Sequence, residues 1–381
     1  MSIRLTQLDV YRTAIPMRPF EHAAASRDVA EAIVVRAAFS DGTSGWGETL
    51  PREYVTGETL ETVAADLEQV VWPAARELDF AAGLDVLLNL PAACPDGRCL
   101  NAAVAAIEIA CADAHLSRSG SRLTRSPVRR IAARVSGVLG SADPDRTARR
   151  LRRMRCFGLR DFKLKLGVDE AADAENLRRV HERIGKAVAA GRCTLRVDVN
   201  GAWDADSTPE RVAALRPFGV SVVEQPARCD AAELVHLARR CELPLMADES
   251  LLTAADARSL LAEPQRIWWN VRLSKNGGLR RSMRLIEMAA EAGVAVVNGC
   301  MVGESSILSA AQRRLLEWAG PRVRHAEGNY GRFLLADDLT RRSLRFGYGG
   351  RLQPPAGAGL GVEVDPRKLE RRATLLASLR A

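Results

Sequence analysis

The sequence predicts an α/β fold: a parallel (β/α)₈ barrel of the TIM type with an N-terminal α+β capping domain. Three observations predict it. From about residue 130 onward, strand-like runs alternate with helical ones. Carboxylates close three successive strand-like runs at nearly constant spacing, and the first 125 residues follow a different pattern, a hairpin followed by helices. The length of 381 residues suits such a two-part chain, since domains average about 100 to 200 residues.

Residues 3 to 14 roughly alternate apolar and polar side chains, and residues 32 to 39 form a second β-like run. Asp41-Gly42, inside the turn Ser40-Asp41-Gly42-Thr43, leads into Ser44-Gly45-Trp46-Gly47-Glu48 and is a hairpin signal. Helical patterns follow near 58 to 78 and near 99 to 117. A small antiparallel sheet followed by helices assigns residues 1–125 to an α+β capping domain.

Strand-like runs then occur at 131 to 138, 161 to 166, 194 to 198, 220 to 224, 244 to 248, 267 to 273, 294 to 299 and near 322 to 326. Helical stretches lie between them at 171 to 189, 209 to 215, 231 to 240, 254 to 261, 279 to 292 and 306 to 318. Residues 126–340 therefore read as a (β/α)₇β-type barrel carrying the catalytic site. Residues 341–381, with Gly349-Gly350 and Pro354-Pro355, look irregular and are expected to return to the capping domain.

Composition excludes several classes. With 47% hydrophobic and 27% charged residues the chain can build a core, which argues against disorder. The net charge of +8 comes mostly from arginine, dense over 118 to 130 and 146 to 155. Only 5% of residues are aromatic, too few for base stacking, and no DNA-reading motif is present, so these segments read as solvated helix faces and linkers rather than a nucleic-acid surface. Eight cysteines without a CxxC pair suit a reduced cytoplasmic protein. No stretch reaches the roughly 18 apolar residues of a membrane span, and residues 1 to 16 lack the apolar run of a signal peptide.

Ionisable residues interrupt the strands. Lys163 and Lys165 fall two apart in Asp161-Phe162-Lys163-Leu164-Lys165, so both ammonium groups share one face. Asp198, Glu224 and Asp248 close the next three runs, 26 and 24 residues apart, each interval being one strand, one helix and two loops. A single strand-end acid commonly serves as a helix N-cap or turn former. Three at one height converge instead on the C-terminal rim, where such barrels carry their sites. Three oxygen ligands without His or Cys suit Mg²⁺, with Mn²⁺ as the alternative. Asn200 lies two residues beyond Asp198, near the same ion, and Lys275 follows Asp248 by 27 residues. Glu304 and Glu327 come after the last two strand-like runs.

Lys163-Leu164-Lys165, Asp198-Val199-Asn200, Val223-Glu224-Gln225-Pro226, Ala247-Asp248-Glu249-Ser250 and Lys275-Asn276-Gly277-Gly278 together resemble the enolase superfamily, in its muconate lactonizing enzyme subgroup. The resemblance covers nearly the whole chain. It implies Mg²⁺-dependent removal of a proton α to a carboxylate through a metal-stabilised enolate, with Asp198, Glu224 and Asp248 as ligands. It makes Lys165 the acid or base on one face of the substrate and Lys275 its counterpart, with Lys163 tuning pKa and contacting the carboxylate. Asn200, Glu249, Glu304 and Glu327 become supporting residues. The expected reaction is racemisation or epimerisation of a dipeptide or N-acylated amino acid; the alternative is a muconate-type cycloisomerase or an o-succinylbenzoate-synthase-like lyase. Partners are a small carboxylate substrate and, as is common in the family, further copies of the chain.

Specificity in the family lies in capping loops, here 17 to 27 and 48 to 58. The second ends in Val55-Thr56-Gly57-Glu58, like the corresponding loop of dipeptide epimerases, and carries Arg52 and Tyr54. Arg52 is a candidate partner for a second substrate carboxylate, against the commoner role of an exposed loop arginine. Where dipeptide epimerases carry Asp-x-Asp, this chain has Glu327-Gly328-Asn329-Tyr330-Gly331, which bears against a free amino terminus in the substrate.

Overall fold

The computed structural model describes residues 2–22, 25–124, 128–140 and 142–381, with the side chains of 20–27 outside the described set. β1 (Leu5–His22), β2 (Ala25–Phe39) and β3 (Ser44–Thr49) form an antiparallel meander, Ala38 pairing with Ser44 across the expected Asp-Gly turn. The segment 17 to 27, expected as a capping loop, is the far end of the β1–β2 hairpin, Phe20 pairing with Arg27. Residues 23–24, also within that expected loop, lie outside the described residues.

The sheet packs on the helix Asn101–Arg118, whose alanine-rich length is buried on nearly every side. Two glycines of β3 permit the approach: a Cβ on Gly45 would stand 2.2 Å from the Ala110 carbonyl, and one on Gly47 1.9 Å from that of Ala106. The predicted helix near 58 to 78 runs from Leu60 to Arg76, capped by Thr59 and widened by one π-turn at Leu67–Val71.

The barrel strands are β4 (Gly137–Leu139), β5 (Asp161–Lys165), β6 (Thr194–Asp198), β7 (Val223–Glu224), β8 (Leu245–Ala247), β9 (Ile267–Val271), β10 (Val296–Asn298) and β11 (Val323–Ala326). They pair in sequential order, all parallel. Ser136 N–H donates to the Ala326 carbonyl at 2.8 Å and Ala326 N–H to that of Arg134 at 2.9 Å, which joins the last strand to the first. The strands are shorter than the sequence runs because pairing stops where the chain bends into each loop. Helices on the outside include Glu170–Ala189, Ala231–Arg240, Leu279–Glu291 and Ser306–Ala319.

The arginine-dense stretch 146 to 155 is itself a barrel helix, Pro144–Cys156, capped by Asp143 and burying Thr147 and Leu151. The C-terminal segment is more regular than expected. After the helix Pro366–Arg372, β12 (Ala373–Arg380) pairs antiparallel with the edge of β1, Gln7 opposite Arg380. Its sequence shows no polar alternation because as an edge strand it is exposed along much of both faces. All eight cysteines are free. Among the described residues no helix is long and apolar enough to cross a membrane.

Buried carboxylates tie cap to barrel. Glu108 accepts from the N–H groups of Leu279 and Arg280 at the start of one barrel helix. Glu48 of β3 accepts from Ser305 N–H, Ser305 Oγ and Leu308 N–H at the start of another. Negative charge at a helix N-terminus meets unpaired N–H groups and the positive end of the helix dipole.

Candidate active site

Register sets the site. Lys165 is level with Asp198, Asp198 with Glu224, and Glu224 with Met246, two residues before Asp248. Lys163 is level with Arg196, one layer deeper. β5 and β9 are the second and sixth strands of the eight-stranded ring, so Lys165 and Lys275, which follows β9, enter from opposite sides. The carboxylates of β6, β7 and the loop after β8 lie on the arc between them.

Each acid meets a cation of the chain. Lys163 Nζ, 2% exposed as a residue, donates to Glu327 at 2.7 Å and to Glu224 at 3.2 Å, and stands 3.1 Å from Asp198. Lys165 Nζ donates to Asn200 Oδ1 at 2.6 Å and pairs with Asp198 Oδ2 at 3.2 Å. Lys275 Nζ donates to the Asp248 carbonyl at 2.6 Å, Asp248 Oδ1 at 3.0 Å and the Asn270 carbonyl at 2.7 Å. Arg272 reaches Glu224 at 3.3 Å and makes a closer contact with Asp248.

Among the described residues no three His, Cys, Asp or Glu side chains are gathered as ligands of one metal ion. The chemistry of the donors nevertheless fits a hard divalent cation: three carboxylates from successive strands, without nitrogen or sulfur. Asp198 Oδ2, fully buried beside both lysines, accepts no aligned hydrogen bond.

The charges divide the lysines. Burial disfavours the Lys163 ammonium, but Glu224, Glu327 and Asp198 outweigh it and hold its pKa above the ordinary value. Burial, then the positive charge of Arg272, pulls Lys275 well below a free lysine. Burial raises Glu249 to about 7 and Glu304 to about 8, leaving Glu304 neutral near pH 7. Glu327 is equally buried, yet Lys163 and Arg196 bring it down to about 2. At Lys275 the depression comes from burial and Arg272, with no second lysine beside it among its causes.

A small enclosed cavity of about 30 Å³ opens above these groups, lined by Lys163, Lys165, Asn200, Arg272 and Glu327 and closed by Tyr54, Met301 and Tyr330. Lys275 and the three strand-end acids lie outside its lining. Tyr54 is 38% exposed on the short helix Glu53–Thr56. Arg52 is not an exposed loop arginine: it is 3% exposed, donating to the carbonyls of Pro51 and Val302. Glu304 accepts from Met301 N–H at 2.7 Å and is absent from the cavity wall. A larger groove of about 810 Å³, between the loops after β5 and β6, is lined by none of the expected site residues.

Three site residues were not singled out from the sequence. Asn270, inside β9, donates to Glu224 at 2.7 Å, and Arg272, one residue past the strand, continues the same alternation. Period-two counting along β9 puts 268, 270 and 272 on one face and would have exposed both. Gln225 binds the loop holding Asp248, its Oε1 accepting from Asp248 and Ser250 N–H and its Nε2 donating to Ser250 Oγ. Gln225, Asn200 and Asn329 have positive φ of 36°, 49° and 55°, a strained backbone confined to barrel-strand ends.

The family of enolase C-terminal domain-like proteins matches residues 146–368. The chain is 30% identical to L-Lys-D/L-Arg epimerase of Methylococcus capsulatus over 91% of this chain and 99% of that one. It is 29% identical to N-succinyl-L-Arg/Lys racemase of Bacillus cereus over 81% and 83% of the two chains. The crystal structure of N-succinyl Arg/Lys racemase from Bacillus cereus superposes with a TM-score of 0.83 at 25% identity, covering 99% of this chain and 100% of that one. Muconate cycloisomerase 1 of Rhodococcus opacus is 28% identical over 96% of both. With capping sheet, closed barrel and matched catalytic half together, the chain belongs to the enolase superfamily, in its muconate lactonizing enzyme subgroup, and is an enzyme.

Proposed function

We propose that the enzyme racemises or epimerises a small carboxylate, an N-acylated amino acid or a dipeptide, by moving the proton α to its carboxylate. The observation that carries this reading is the placement of Lys165 and Lys275 on opposite sides of the barrel mouth with the acids between them. Removal on one face and return on the other needs two amines so opposed.

Asp198, Glu224 and Asp248 would hold Mg²⁺ or Mn²⁺, which when bound neutralises negative charge that grows on the substrate carboxylate as the proton leaves. Lys165, at the cavity wall, takes the proton from the face turned to β5. Lys275, its pKa depressed by burial and Arg272, serves the opposite face. Lys163 stays an ammonium, fixed by Glu327, and presents positive charge to the carboxylate. Asn200 fixes the Lys165 amine. Glu249 and Glu304 support the two sides of the mouth, and Arg52 sets the capping loop from which Tyr54 meets the substrate.

Racemase and epimerase names among its relatives support this reading. Cycloisomerisation or elimination with one lysine acting is the second reading, favoured by the match to muconate cycloisomerase over 96% of both chains. Incubation in D₂O with N-succinyl amino acids, dipeptides and cis,cis-muconate separates them. Deuterium at the α-carbon with loss of optical activity is expected; lactone formation from muconate without such exchange favours the second.

A further inference from the structure

Arg272 stands where the three strand-end carboxylates should close on one another. One of its guanidinium nitrogens reaches both Glu224 and Asp248, two of the three, while Asp198 Oδ2 is left to Lys163 at 3.1 Å and Lys165 at 3.2 Å. Arg272 is 8% exposed, and its Nε, also buried, finds no partner. Its stem passes Gly299, where a Cβ would lie 2.9 Å from Arg272 Cγ and 3.0 Å from Nε. A guanidinium bonded to these oxygens and a dication bonded to the same ones repel strongly in a buried setting. Without either, Glu224 would keep only Lys163 and Asp248 only Lys275 as compensating charge, with no cation bridging the two acids.

We propose that Arg272 is the resident counter-ion of the carboxylate triad. In the metal-free enzyme its guanidinium holds the place at Glu224 and Asp248 that a divalent cation takes on binding, so cation entry and guanidinium withdrawal are a single exchange. The proposal rests on reading the triad as a dication site. It gives Arg272 two opposed effects, stabilising the metal-free fold and weakening cation affinity.

The test is calorimetry of Mn²⁺ and Mg²⁺ binding to the full chain and its R272M and R272K variants, with thermal melting in a chelator. R272M should melt lower than the parent without metal and bind Mn²⁺ about tenfold tighter or more. R272K, which keeps the charge but not the planar fork, should bind Mn²⁺ more tightly than the parent by a smaller factor and remain folded. Unchanged or weaker Mn²⁺ binding in folded R272K, or in folded R272M, overturns the exchange while leaving the dication site standing. A parent protein that takes up neither cation overturns both.

Discussion

Lys163 donates to Glu327 across 2.7 Å with both side chains buried, and Arg196 stands 3.2 Å from the other oxygen of the same carboxylate. Glu327 is thereby held as an anion between two cations, and Lys163 as an ammonium among three anions. Lys163 is thus a fixed charge, and Lys165 lies one layer higher, bonded to Asn200 and paired with Asp198. Replacing Lys163 with Met should remove the one cation shared by Asp198, Glu224 and Glu327, leaving each with only its second partner, Lys165, Arg272 or Arg196, and cost about 3 to 5 kcal/mol. Urea unfolding measures this, and parental stability would contradict the arrangement.

The carboxylates that bind cap to barrel predict a pH dependence. Burial raises Glu48 and Glu108 to about 7 from an ordinary 4.5. Between those values the folded chain keeps protons that the unfolded chain has shed. The stability they contribute is present in full below about pH 4.5 and is lost as pH rises through 7. Glu48→Gln, neutral throughout, should flatten that decline by up to about 3 kcal/mol in urea unfolding across the window. A slope equal to the parent's would show that Glu48 ionises normally.

Gly47→Ala tests the closeness of the capping sheet and its helix. The added Cβ would fall 1.9 Å from the Ala106 carbonyl, so strand or helix must shift. A loss of about 3 kcal/mol is expected in chemical denaturation, and none if the two are looser than described.

Tyr54, from the capping domain, lines the same cavity as Lys163 and Lys165. Tyr54→Ala should raise KM about tenfold for the best substrate while kcat changes by less than about threefold, as removal of a binding contact does. A fall in kcat at constant KM would place Tyr54 in the chemical step instead.

Much of this architecture was legible because four successive barrel strands announce themselves twice, by apolar runs and by a charged residue, Lys165, Asp198, Glu224 or Asp248, at or near the end of the run. Lys165, Asp198 and Glu224 could be aligned by counting, and the register agrees. Arg272 was not, because an arginine three residues before Lys275 reads as loop decoration until its guanidinium is seen between two acids. Pro144–Cys156 was not placed among the barrel helices because its arginines mask the apolar face, only Thr147 and Leu151 being buried. β12 was hidden because its partner, β1, lies at the other end of the chain, and no local pattern encodes a pairing of Gln7 with Arg380. Arg52 is buried by a contact with the Val302 carbonyl, which comes from the barrel rather than from its own loop.

The two-sided proton transfer is tested most directly by α-proton exchange in D₂O with each enantiomer of a turned-over substrate, using Lys165→Ala and Lys275→Ala. Each variant should lose racemisation yet still exchange the α-proton of one enantiomer, and the two variants should choose opposite enantiomers. Racemisation persisting in either variant, or both exchanging the same enantiomer, would contradict the opposed-lysine account.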